Sequence, residues 1–186
     1  LKLLRKNLGD DAIDFKPYGG YELFTKEDES CFNICLQKLP YVNEMLKPIF
    51  KSDVFSKEID RFGFGNIQEY SIFNPFEAQI DPGNMMQALL KLAISKNILI
   101  LNQQTVTSYV DDGNKVEIVL DDFSFISKKV FFATNGFANA LTNGVVKPAR
   151  AQVLITKPIK NLDIKGTFHL DKGYYYFRNI GDRILL

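Results

Sequence analysis

The chain has 186 residues, 46% of them hydrophobic and 24% charged, with a formal net charge of +1 at pH 7. That balance fits an ordinary globular chain able to bury roughly 70% of its unfolded surface, and the lack of a basic run argues against a nucleic-acid groove built on charge. No apolar run approaches the roughly 20 residues that span a bilayer, and no basic-then-apolar leader opens the sequence, so a cytoplasmic chain without a membrane partner is expected.

Residues 1–8 read as an amphipathic helix, with Leu1, Leu4 and Leu8 on one side and Lys2, Arg5 and Lys6 in water. Gly9-Asp10-Asp11 ends it. A strand is expected over 21–24, with Glu22 alternating outward. Asp28 or Ser30 can cap a helix to about Lys38 whose buried stripe is Phe32, Cys35, Leu36 and Leu39. Pro40 then opens a second short helix, stopped by Pro48. Cys31 and Cys35, the only cysteines, fall on one helical face and read as two buried thiols rather than a redox or disulfide pair.

The stretch 53–64 has no clean period. Residues 68–80 are aromatic and extended, with Pro75 marking an edge or bulge. Asp81-Pro82 is a cap followed by a first-position proline, and Met85, Met86, Leu89, Leu90 and Ala93 recur at helical spacing behind it. Short strands are expected over 98–101, 105–110, 115–120 and 125–132, with Asp111-Asp112-Gly113-Asn114 as a hairpin turn. Val130 to Ala133 is wholly apolar, as in a strand covered on both faces of a parallel sheet, and it opens into Thr134-Asn135-Gly136. A buried strand ending in such a bend is where open α/β sheets place ligands, although an ordinary strand-to-helix turn has the same pattern. Beyond Arg150 the expected elements are strands over 151–156, 167–170, 174–178 and 183–186, an antiparallel meander in a second layer.

The run Lys-Lys-Val-Phe-Phe-Ala-Thr-Asn-Gly-Phe-Ala-Asn, followed by Pro148-Ala-Arg150-Ala-Gln152, resembles a flavin-contacting segment of the D-amino-acid oxidase/glycine oxidase superfamily of FAD-dependent oxidoreductases. The likeness extends more weakly from about Gly19 to Leu186. It implies FAD as cofactor, with Ala133, Thr134, Asn135 and Gly136 beside the flavin. Val106 is carried over as a contact of the adenine-side strand, where a half-buried valine in an ordinary strand is the plain alternative. The family's Gly-x-Gly-x-x-Gly loop, whose helix end holds the pyrophosphate, is not in this sequence; Gly19-Gly20 and Gly63-Phe64-Gly65 do not fit it. The chain starts inside an expected helix and stops inside an expected strand, which suits a piece of a longer protein, and such a piece is expected to be inactive and to hold FAD weakly.

In the meander, alternation puts Tyr174, Tyr176 and Arg178 on one face and Tyr175 and Phe177 on the other. A tyrosine hydroxyl beside a guanidinium can grip a carboxylate, since the planar fork matches two oxygens at once. The resemblance makes Tyr174 or Tyr176 a substrate contact; cross-strand packing of aromatics and a surface arginine explain the same pattern. His169, the single histidine, could line the same pocket or sit as a partly exposed strand residue. One histidine and two cysteines make a transition-metal cluster unexpected.

The expected fold class is mixed α/β: part of an FAD-binding parallel sheet plus an antiparallel substrate-binding layer with flanking helices. The expected division is 1–80, helical excursion and substrate strands; 81–147, part of the FAD domain; and 148–186, the substrate-binding sheet. The reading this supports is an oxidoreductase taking hydride from the nitrogen-bearing carbon of a small amine or amino acid. Two others remain open: a non-catalytic ligand-binding module, and a flavoprotein of the same superfamily acting on a modified nucleoside in RNA.

Overall fold

The computed structural model describes residues 1–142, 144 and 146–186. The chain divides into two compact units, one formed by Leu1–Ser95 with Val153–Leu186 and the other by Lys96–Gln152.

The first unit is built on a six-stranded sheet. Its strands are β1 (Gly20–Glu22), β2 (Ser56–Ile59), β3 (Tyr70–Asn74), β7 (Thr167–Leu170), β8 (Tyr175–Ile180) and β9 (Arg183–Leu185), in the order β2-β3-β1-β7-β8-β9. Strands β7, β8 and β9 form the expected antiparallel meander. They share one sheet with the N-terminal strands through the parallel pairing of β1 with β7, a join across more than 140 residues that local sequence does not announce.

Pleating sorts the residues of this sheet onto two unlike faces. One face is aromatic: Tyr21, Leu23, Ile164 and Phe168 are buried together, with Phe62, Phe64, Phe73 and Phe177 packed against them. Phe168 is wholly buried, its ring stacked on Phe177 at 4.9 Å and met edge-on by Phe62 at 4.9 Å. Burying one such ring contributes roughly 1.5–3 kcal/mol. The opposite face carries Glu22, Thr167, His169, Tyr176 and Arg178, and over its β3 side lies helix α2 (Glu29–Phe50).

The α2 stripe of Phe32, Cys31, Cys35, Leu36 and Leu39 packs on Phe24 and Ile72. Two short helices divided at Pro40 were expected here; the structure has one, running through both Pro40 and Pro48. A proline removes one helical donor, but the apolar stripe and Asn43 hold the helix down on both sides of the break. Asn43 is buried, accepts from Val54 N and Phe55 N, and donates to Phe55 O at 2.8 Å. Helix α1 (Lys2–Leu8) and helix α3 (Pro82–Ser95) complete the unit. The start of α3 is as expected, with Asp81 Oδ1 accepting from Asn84 N at 2.8 Å.

In the second unit, β4 (Val106–Asp111), β5 (Val116–Leu120) and β6 (Ser124–Ser127) form an antiparallel sheet around Val116, Ile118 and Leu120. The hairpin turn falls where expected, with Gly113 at φ 87° and Asp112 Oδ1 accepting from Asn114 N and Lys115 N. Three expected strands do not form in full. Residues 98–101 are irregular, with Leu99 81% exposed. The third hairpin strand ends at Ser127, so 130–133 lies outside any strand, and Phe131 is 87% exposed. Both runs have strand composition, but a strand also needs a neighbour to take its backbone groups, and neither run pairs with a described strand. Residues 151–156 form no strand, although Leu154 and Leu186 exchange backbone bonds and Thr156 N donates to Ile184 O around a bridge of Ile155 to Leu185. The bend after Ala133 therefore does not stand at the carboxyl edge of a parallel sheet in this chain, and the single parallel pairing among the described residues is that of β1 with β7.

Among the described residues no helix is long and apolar enough to cross a membrane.

Candidate functional site

Register brings the polar residues of the first unit into rows. Glu22 on β1 stands opposite His169 on β7, and His169 opposite Tyr176 on β8. One step along, Gly20 is opposite Thr167, and Thr167 opposite Arg178. Neighbouring strands lie about 4.8 Å apart, so side chains in a row meet.

At the centre is Glu77, from the segment just after β3. Its carboxylate accepts from Thr167 Oγ1 at 2.8 Å and Asn74 Nδ2 at 3.2 Å, and lies 3.5 Å from His169 Nε2. It rests directly on the backbone of β1: a Cβ at Gly20 would collide with it. Gly20 is thus the opening through which Glu77 reaches the histidine. On the other side His169 Nδ1 is 4.0 Å from Glu22 Oε2. The hydrogen bond to Glu77 raises the His169 pKa above its ordinary 6.5, against some desolvation. The Glu77 carboxyl is held below its usual range, first by His169 and also by Thr167 and Asn74, partly offset by desolvation. Glu22 is pushed up by burial more than nearby His169 pulls it down. One carboxylate is therefore satisfied and the other is not.

Glu22 and His169 also line a groove of about 440 Å³, with Lys38 and Lys172. Helix α2 supplies its apolar side through Leu39 and Val42, and the sheet side through Phe24 and Ile72.

Of the residues singled out from sequence, His169 and Tyr176 are direct cross-strand neighbours, and Arg178 occupies the next row of the same face. Arg178 Nη1 donates to Ile80 O at 3.2 Å, which anchors the guanidinium over the segment leading into α3. Tyr174 lies in the turn before β8, 77% exposed, with its ring against Tyr175. Glu77 and Gly20 were not singled out, and Glu22 was read only as an outward residue. The one local hint was a glycine beside an alternating acid at 20–22; the partner of that glycine lies more than fifty residues away.

In the second unit Val106 begins β4 and packs against the Val116, Ile118 and Leu120 cluster. Residues Asn135–Ala140 form a 3-10 turn, entered through Asn135 at φ 47°. Ala133 and Asn135 are exposed. Thr134 Oγ1 is buried and has no hydrogen-bond partner among the described residues. Gly136 is closed over by Pro148, whose Cβ would lie 3.2 Å from a Cβ placed there. Arg150 and Gln152 are exposed, outside any helix or strand.

No curated protein sequence significantly matches the chain. Solved structures do. Glycine oxidase from Bacillus cereus ATCC 14579 aligns with 99% of this chain and 51% of its own, at 17% identity and a TM-score of 0.70. L-proline dehydrogenase from P. horikoshii aligns with 98% of this chain and 52% of its own, at 18% identity and a TM-score of 0.67. L-amino acid deaminase from Proteus vulgaris aligns with 99% and 44%, at 12% identity and a TM-score of 0.71. The chain thus spans about half the length of these structures, and at such identities they establish its fold, mixed α/β with a mixed sheet, an antiparallel sheet and flanking helices. The family model described as FAD dependent oxidoreductase matches residues 1–186, so the chain belongs to that family (DAO).

Proposed function

We propose that the chain is the substrate-binding part, with a stretch of the cofactor domain, of an FAD-dependent enzyme that oxidises the C–N bond of an amine or amino acid. The observation that carries this is the polar face of the six-stranded sheet. There Glu22, His169 and Tyr176 stand in one row, with Arg178 in the next. The similar structures, a glycine oxidase, a proline dehydrogenase and an amino acid deaminase among them, are named for nitrogen-bearing substrates.

The residues fit FAD at one edge. The orphan hydroxyl of Thr134 calls for a polar partner, and the exposed backbone at Ala133 and Asn135 leaves an approach. Gly136 does not add to that approach, because Pro148 occupies its open side. We assign Ala133, Thr134 and Asn135 to the flavin, with Val106 on the adenine side. Bound FAD supplies a two-electron acceptor for hydride from the carbon bearing nitrogen.

The chain itself supplies binding and charge. Arg178, with one guanidinium nitrogen on Ile80 O, keeps donors for a substrate carboxylate. Tyr176 offers a hydroxyl beside it, and Tyr174 a second one from the turn. His169, held by Glu77, places a proton at Nε2 and presents Nδ1 toward Glu22.

The test is an absorbance spectrum of the full-length protein, followed by anaerobic titration with glycine, proline, simple amines and D-amino acids. Bleaching of the flavin by one of these substrates supports the reading. A flavin-bearing protein that none of them bleaches removes it.

A further inference from the structure

Glu22 is the residue that the architecture leaves unfinished. Its carboxylate is more than half buried, at 31% side-chain exposure, and among the described residues no hydrogen bond reaches it. The nearest cation is the His169 imidazole, 4.0 Å away and already shared with Glu77. A half-buried carboxylate without a donor is costly, and here the cost persists although Glu77, from the segment after the neighbouring strand β3, collects three partners. Glu22 lines the 440 Å³ groove, whose walls include Phe24, Leu39, Val42, Phe55 and Ile72. That size lies within the range of small-ligand pockets, and apolar walls with a few charged groups are how such pockets orient a ligand.

From this we infer that the groove between α2 and β1–β7 takes an amine with an apolar substituent, its ammonium on Glu22 and its body along α2. Other charges face the groove as well. Lys38 of α2 and Lys172 of the turn after β7 also line it; both oppose a cation there, so the ammonium must sit at Glu22, and both suit a carboxylate on the same ligand. His169, when protonated, is balanced by Glu77. An ammonium therefore meets an acid whose one close partner is an imidazole already held by Glu77. This specifies the substrate class for the reading above and rests on that reading only in calling the ligand a substrate.

His169 is the single histidine in the chain, so its imidazole NMR signals are assigned without ambiguity, and the Val42→Trp variant separates binding in the groove from binding beside Tyr176. The 186-residue chain is titrated with 3-phenylpropylamine, with 3-phenylpropan-1-ol as the uncharged isostere and propylamine as the cation without the body. We expect saturable His169 shifts with 3-phenylpropylamine. Both comparators should bind more weakly, the alcohol by on the order of tenfold, the worth of one charged hydrogen bond. Glu22→Gln should reduce amine binding by a similar factor and bring amine and alcohol together. Val42→Trp, which fills the groove without touching a charge, should abolish both. Equal binding of amine and alcohol to the unaltered chain overturns the inference and needs no variant to fold. So does the absence of any saturable shift. A shift produced by raising protein concentration alone would put a second copy of the chain in the groove and overturn it equally. Amine binding in the groove with no flavin bleaching by any amine would leave this site standing and remove the oxidase reading. Bleaching that is unaffected by Glu22→Gln and Val42→Trp would do the reverse.

Discussion

Replacing Gly20 by alanine tests whether the polar face is built as described. The new Cβ would overlap the Glu77 carboxylate, so that carboxylate must leave. Swinging a glutamate aside is cheap in itself; the loss lies in what it was holding. Three contacts go, from Thr167 at 2.8 Å, Asn74 at 3.2 Å and His169 at 3.5 Å. At about 0.5–1.5 kcal/mol each, and near the lower end because Glu77 is partly exposed, they sum to about 2 kcal/mol. Alanine returns roughly 0.5–1 kcal/mol over glycine in a strand. The net expectation is a destabilisation of about 1 kcal/mol. Urea unfolding measures it as a lower midpoint at unchanged slope. The NMR titration of His169 should in parallel move down toward its ordinary value, since Glu77 is the first cause of its rise. A variant as stable as the parent, or more so, with His169 titrating as before would show that Glu77 does not hold the histidine.

Asn43→Ala should cost about 2–4 kcal/mol in the same assay, because the buried Val54 N–H loses its acceptor and α2 loses its tie to the segment before β2; a loss under 1 kcal/mol would mean the loop re-pairs. The His169–Glu77 pair should stabilise the fold most between the ordinary values of its members, 4.5 and 6.5. His169, raised on folding, contributes fully below 6.5 and loses that contribution as pH rises through its folded value; Glu77, lowered, contributes fully above 4.5 and loses it as pH falls through its folded value. The stability difference between the parent and Glu77→Gln should accordingly peak in that window and shrink above it, and a difference independent of pH would dissolve the pair. The 186-residue chain purified alone should carry no stoichiometric flavin, because it contains no Gly-x-Gly-x-x-Gly loop; flavin absorbance at one per chain would refute this.

Local chemistry is enough to write down several of these elements. Asp81-Pro82 starts α3, Asp111 to Asn114 turns the β4–β5 hairpin, and the alternation in β8 sends Tyr176 and Arg178 one way and Phe177 the other. Each depends on neighbours a few residues apart. The motif at 130–136 likewise marks the family, whose model matches the whole chain. The same motif misleads on local structure: four apolar β-prone residues have the composition of a buried strand, but none of the described strands pairs with them. Pro40 misleads in the opposite direction, as α2 is held by packing across the break that one missing donor makes. What no local pattern contains is the parallel alignment of β1 with β7. It places Glu22 beside His169, and together with the β1–β3 pairing that sets Glu77 over Gly20 it decides which carboxylate is satisfied and which is left facing the groove. Propensity and capping act over a single turn or strand, whereas a charge cluster is made by whatever the folded backbone brings within 4 Å, and that is a property of the sheet order.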